Sequence, residues 1–344
     1  MTCTAMNFGH NRISRNKNVN EMDCTDIEHI APIEKGELEM MRASCLTEFV
    51  NRVTAENLQV ESVRVRQDGE LIGKWDQKED SRRLQHSISK SFTCMAVGLA
   101  FEEGKLTLDT TLGDVFPQYA LLHTEPNPLL HPASIKLREL LRMSSGHDSP
   151  PLWAEERASL QEKDWVRYYM SLPLDRVPGK RFTYSSGDTF MISAMVQAAV
   201  GLTVHDYLRP RLFKPLGIRE ETWDSSPLGV TLGCAGLALT NEELSRFGQL
   251  LLQQGVWNGA QLVPADWIQL ATSKQIDNEG SLDWCQGYGY QFWMCSHYAY
   301  RADGAHGQFC IVMPDKGAVI AINSQEDRLQ DILDAMWSEI WPML

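Results

Sequence analysis

The chain has 344 residues, 43% hydrophobic and 22% charged, with a formal net charge of −13. That composition is ordinary for a folded globular protein, and its acidic balance argues against nucleic acid or an anionic membrane as a partner, leaving a small-molecule substrate. The eight cysteines are scattered without a CxxC pair, and no His/Cys set has zinc spacing, so no disulfide framework, metal or cofactor is implied and a reducing, cytoplasmic setting is expected.

Residues 1–30 are polar, without helical or strand period, and read as a flexible N-terminal arm with neither a signal peptide nor a spanning segment. The folded unit is expected over residues 31–344. Leu38, Met41, Leu46, Phe49 and Val53 recur at helical spacing, and two strand-like runs then flank Asp68-Gly69. Next comes QHSISKSFTCMAVGLA, where Phe92, Met95, Ala96 and Leu99 mark a helix that Gly104 would end.

Ser87 stands at or just before that helix's N-terminus, three residues ahead of Lys90. Residues at i and i+3 share a helix face, so the ammonium reaches the hydroxyl, and a desolvated lysine is neutral often enough to take its proton. The helix N-terminus favours an oxyanion beside it. A Ser-x-x-Lys alone is weak, since a chain of this length holds on the order of one by chance, and Ser14-Arg15-Asn16-Lys17 is a second copy in the polar arm.

Downstream, Tyr184-Ser185-Ser186 follows a Pro-Gly turn and precedes an apolar helix (Phe190, Met191, Met195, Val196, Val200). Tyr184 there either trades protons with the serine or merely packs. Three strand-like segments follow, with Gly304-Ala305-His306-Gly307-Gln308 at the mouth of the one from Phe309 to Met313, and the chain closes on an apolar helical stripe from Leu329 to Ile340. His306 would act as acid or base near pH 7, or stand at the rim, where it contacts substrate or simply fills the edge. His86 is expected to face away from the serine, and His147 to support the site from behind. No GxSxG elbow is present, which argues against an α/β-hydrolase.

With GKLTLDTTLGDVFP, LRELLRMSSG, PGKRFTYSSGD, FKPLGI and GCAGLALTNEELSRFGQLLLQQGVWNG in order, the chain resembles the serine β-lactamase and penicillin-binding-protein superfamily over residues 38–344. The class C-type branch, with class VIII esterases, DD-peptidases and 6-aminohexanoate-dimer hydrolases, is the nearest match. The resemblance implies an α/β (α+β) fold of the β-lactamase/transpeptidase type: an antiparallel sheet built from both ends of the chain and flanked by helices, with a mostly helical subdomain inserted at about 105–245. It also implies Ser87 as acylated nucleophile, Lys90 as its proton partner, Tyr184 as general base or shuttle, Gly307 as the glycine of the Lys-Thr-Gly landmark, and the N–H groups of Ser87 and Gln308 as the oxyanion hole.

Two departures stand out. Ser186 replaces the asparagine of Tyr-x-Asn, and Ala305-His306-Gly307 lacks the landmark's lysine. A desolvated contact between that lysine and a substrate carboxylate is worth roughly 1.5–3 kcal/mol. Its loss points to esters and uncharged amides over β-lactams. The expected activity is a serine hydrolase working through a Ser87 acyl-enzyme; an acyltransferase, or a penicillin-binding sensor that acylates without turnover, is the alternative.

Overall fold

The computed structural model describes residues 46–122 and 125–344. The arm, Ser14, Lys17, Leu38 and Met41 lie outside the described residues. The first helix, α1, is described over 46–55 and buries Leu46, Phe49 and Val53, the expected stripe. Strands β1 (Val60–Gln67) and β2 (Glu70–Asp76) pair antiparallel through Asp68-Gly69. Both turn residues have positive φ, 51° and 89°, as a two-residue hairpin whose twist matches its strands requires.

Helix α2 (Ser89–Glu102) follows a single 3-10 turn, His86–Ile88, so Ser87 sits in the turn just ahead of the helix proper. The helix is apolar on nearly every side, which suits an element enclosed all round, and Gly104 closes it with φ 67°. Short helices and turns fill the next eighty residues. Helix α3 (Ser186–Val200), N-capped by the Ser185 side chain and ended by Gly201 in the left-handed region, packs against α2.

Helix α4 (Asn241–Leu252) lies on the sheet, opened by a reciprocal cap between Thr240 and Glu243. It sits so close that a Cβ on Gly248 would stand 2.4 Å from Val319 and 2.7 Å from Cys310. The expected subdomain limit near 245 therefore falls inside a helix that already covers the sheet.

Where three strands were expected in the last third, four form: β3 (Trp293–Met294), β4 (Tyr300–Gly304), β5 (Gln308–Met313) and β6 (Ala318–Ser324). The six-stranded sheet runs β2-β1-β6-β5-β4-β3, antiparallel throughout, so the β1–β6 pair joins the two ends of the chain. One face is covered by α1 and by the C-terminal helix α5 (Leu329–Ala335), around Phe49, Val63, Ile311, Ile320 and Leu333. The other faces α2, α4 and the helical region in a second, larger cluster. The described cysteines are all unpaired, and no single helix among the described residues is long and apolar enough to cross a membrane.

Candidate active site

Ser87, Lys90 and Tyr184 meet where α2, the start of α3 and strand β4 converge. The serine-bearing turn is held by its neighbours. The Gln85 N–H donates to the Leu237 carbonyl at 2.8 Å, and its buried side chain donates to Leu239 at 3.1 Å. Ser89 Oγ donates to the His86 carbonyl at 2.6 Å and accepts from Leu237 N at 3.2 Å. His86 itself takes a left-handed φ of 47°, strained for a residue with a side chain, immediately before the serine.

Lys90 Nζ stands 3.0 Å from Ser87 Oγ and donates to the Cys234 carbonyl at 2.9 Å. Lys90 is 1% exposed and, among the described residues, pairs with no carboxylate, whereas Ser87 is only half-buried and open to a substrate. Burial brings the lysine down from 10.5 to about 8, and nearby Arg157 pushes the same way against Asp188 and Asp303. At that value about a tenth of the groups are neutral at pH 7. The Lys90 ammonium also lies 4.9 Å from the centre of the Tyr184 ring. Burial drives the Tyr184 phenol well up, and its hydrogen bond with Ser87 pulls it partly back, so the neutral phenol is the form present.

Behind Tyr184, Asp188 accepts from Ser145 at 2.8 Å, Ser185 at 2.7 Å and Tyr169 at 3.0 Å. Burial lifts its carboxyl to about 6, against those hydrogen bonds. His147 lies 3.3 Å from Ser145 Oγ and edge-on to Tyr169, and burial lowers its imidazole to about 4. The supporting position expected for His147 is where the structure puts it.

The third landmark needs correction. Gly307 is the turn glycine of the β4–β5 hairpin: Gly304 pairs with Gln308, Gly307 has φ 76°, and a Cβ on it would meet Ser324 and Ile332, on the α5 side. The Gln308 side chain turns to the Ser324 carbonyl at 2.5 Å. It is Gly304 that presses on the segment bearing Ser87, where a Cβ would stand 2.4 Å from the Gln85 carbonyl. The edge beside the site is thus Arg301-Ala302-Asp303-Gly304. Asp303, buried and missed in the sequence, is bound by Arg301 at 2.7 Å and lies within electrostatic reach of both Lys90 and Tyr184. The sequence signal was its place one residue before the first of two glycines, and choosing between those glycines requires the hairpin register.

Ser186 opens α3 and makes no hydrogen bond to Ser87 or Lys90 among the described residues. His306 lies at the rim, its Nδ1 2.7 Å from Asp327. Its ring meets His86 edge-on at 5.2 Å, so His86 belongs to the rim as well. Burial, with His306 adding to it, lowers His86 below the usual imidazole range. Among the described residues no group of three or more His, Cys, Asp or Glu side chains is arranged to hold a metal.

The chain is similar to the 6-aminohexanoate-dimer hydrolase of Paenarthrobacter ureafaciens, 24% identical over 199 residues that cover 55% of this chain and 50% of the relative. It is also similar to the lovastatin esterase of Penicillium rubens, 29% identical over 150 residues, 39% of this chain and 37% of the relative. The chain thus spans half or less of the curated relatives it matches. Among solved structures, EstCE1, described as a hydrolase with promiscuous acyltransferase activity, superposes with a TM-score of 0.68 at 17% identity, over 87% of this chain and 99% of that one, and shares the β-lactamase/transpeptidase-like fold. The sequence profile of the Beta-lactamase family matches residues 52–339, and with that span the chain belongs to the Beta-lactamase family.

Proposed function

We propose that the protein is a serine hydrolase that cleaves esters or uncharged amides through an acyl-enzyme on Ser87. The observation that carries this reading is the 3.0 Å contact between Ser87 Oγ and a buried lysine brought down to about 8. As Oγ bonds to the substrate carbonyl carbon, its proton passes to neutral Lys90. The tetrahedral oxyanion faces the Ser87 N–H and a backbone N–H at the Gly304–Ala305 end of β4, the stretch of that strand tight against the nucleophile segment. Collapse breaks the bond to the leaving group, whose oxygen or nitrogen takes the proton through Tyr184. Water then adds to the acyl carbon, releasing the acid and restoring Ser87.

Preference for uncharged substrates rests on β4. Its Arg301 is spent on Asp303, and the lysine of the third landmark is absent, so that strand offers no free cation to a substrate carboxylate. The test is steady-state hydrolysis of a short-chain nitrophenyl ester and of a β-lactam, with products separated in the presence and absence of an added alcohol. Ester hydrolysis that Ser87→Ala lowers by roughly 10⁴-fold or more supports the reading. Ester product dominated by transfer to the alcohol would replace hydrolysis with acyl transfer, and faster β-lactam turnover would overturn the preference.

A further inference from the structure

Tyr184 is surrounded by aromatic rings that the proposed acyl transfer does not use. Trp293 lies 5.4 Å away, Trp153 6.2 Å, Tyr288 6.3 Å and Phe182 6.5 Å between centroids, and Phe182 meets Trp293 at 5.8 Å. They come from separate segments: the loop before the short helix Ala154–Ser159, the strand edge at β3, and the approach to α3. Tyr288 is buried, whereas Phe182 and Trp293 are half-exposed and Trp153 is 41% exposed. Large apolar rings left in water beside a catalytic phenol form a binding surface, since each gains on being covered.

What covers them follows from the charges around them. The π faces nearest the chemistry already hold cations: Lys90 over Tyr184 at 4.9 Å, and Arg301 over Trp284 at 4.4 Å and Trp293 at 5.7 Å. A substrate ammonium would meet those like charges, so the surface does not suit a cation. Among the described residues no cation lies over Trp153 or Phe182, which offer faces and edges to an uncharged ring.

We infer, resting on the acyl-transfer reading above, that Trp153 and Phe182 form a subsite for a neutral aromatic or similarly flat apolar group on the leaving-group side of the scissile bond. The side follows from the chemistry: the leaving oxygen must approach Tyr184 to be protonated, so whatever that oxygen carries lies against the rings packed round the phenol.

The test compares benzyl acetate with ethyl acetate, two esters of primary alcohols with one acyl group, in wild type, Trp153→Ala, Phe182→Ala and Trp153→Phe. The benzyl-over-ethyl ratio in kcat/KM falls about tenfold in Trp153→Ala, as the loss of one well-placed aromatic contact implies, falls likewise in Phe182→Ala, and is largely restored in Trp153→Phe. Calorimetric binding of benzyl alcohol to the Ser87→Ala protein, with and without Trp153→Ala, reads the same subsite without turnover and so separates its failure from failure of the hydrolase reading. A ratio unmoved by either alanine variant, with unchanged benzyl alcohol binding, overturns the subsite. A drop confined to the preference for ethyl phenylacetate over ethyl acetate overturns the leaving-group side.

Discussion

Two cations are buried to the same depth in this protein and lead opposite lives. Arg64, on β1, is 1% exposed and meets Asp76 at 2.7 Å, Asp80 at 3.1 Å and Glu242 at 3.6 Å. Arg66 beside it binds Glu242 at 2.6 Å and Ser245 at 2.9 Å, so the charges join β1 and β2 to the start of α4. Lys90 is equally buried, but its hydrogen bonds among the described residues go to a hydroxyl and a carbonyl, and Asp188 and Asp303 act on it only from a distance. Where carboxylates answer the charge, a buried cation becomes a clamp between elements. Without a carboxylate in contact, burial lowers the proton affinity of Lys90. Burial is the same in the two; what differs is the partners and the basicity of a guanidinium against an amine.

That contrast can be broken experimentally. Lys90→Met, which keeps an unbranched apolar stem and deletes the nitrogen, is expected to lower kcat/KM by roughly 10³-fold or more while leaving thermal stability equal or higher, because a poorly compensated buried charge is gone. Tyr184→Phe keeps the ring packing and should slow turnover roughly 10²-fold with a near-unchanged melting transition; a collapse in stability would make the tyrosine structural. Arg64→Met should do the reverse of Lys90→Met, costing about 3 kcal/mol in denaturant unfolding as three carboxylates lose one shared partner, with kcat of the remaining folded protein kept.

The contrast also has a dependence on pH. Because Lys90 falls from 10.5 unfolded to about 8 folded, the unfolded chain holds the extra proton between those values. The group's destabilising contribution is therefore full below about pH 8 and is relieved as pH rises towards 10.5, by at most about 3 kcal/mol. In kcat/KM the same group should give a limb that rises with pH and levels near 8. A profile flat from pH 6 to 9 would sharpen the contrast against Lys90 and leave Tyr184 as the base.

The parts of the site that depend on local order were legible in the sequence. Ser87 and Lys90 are three residues apart on one turn, and Tyr184 precedes a capped helix, so spacing alone brings the first pair together and the landmark order brings in the third. The sheet closing through β1 and β6 came from resemblance, since no period in either strand says which distant strand it meets. The β4 edge was misread for a physical reason. Gly304-Ala305-His306-Gly307 offers two glycines, and only the pairing of Gly304 with Gln308 shows that Gly307 serves the turn and Gly304 the close approach to Gln85. Asp303 and the rings of Trp153 and Trp293 were hidden likewise, because they converge on Tyr184 from segments far apart in the chain, whereas Phe182 stands two residues before it.

The most direct test of the central claim is intact-protein mass after a fluorophosphonate and a short-chain nitrophenyl ester, on wild type, Ser87→Ala and Lys90→Met. The account expects one adduct on the wild type, none on Ser87→Ala, and much slower labelling of Lys90→Met. An adduct that persists in Ser87→Ala, or labelling of Lys90→Met at the wild-type rate, would contradict it.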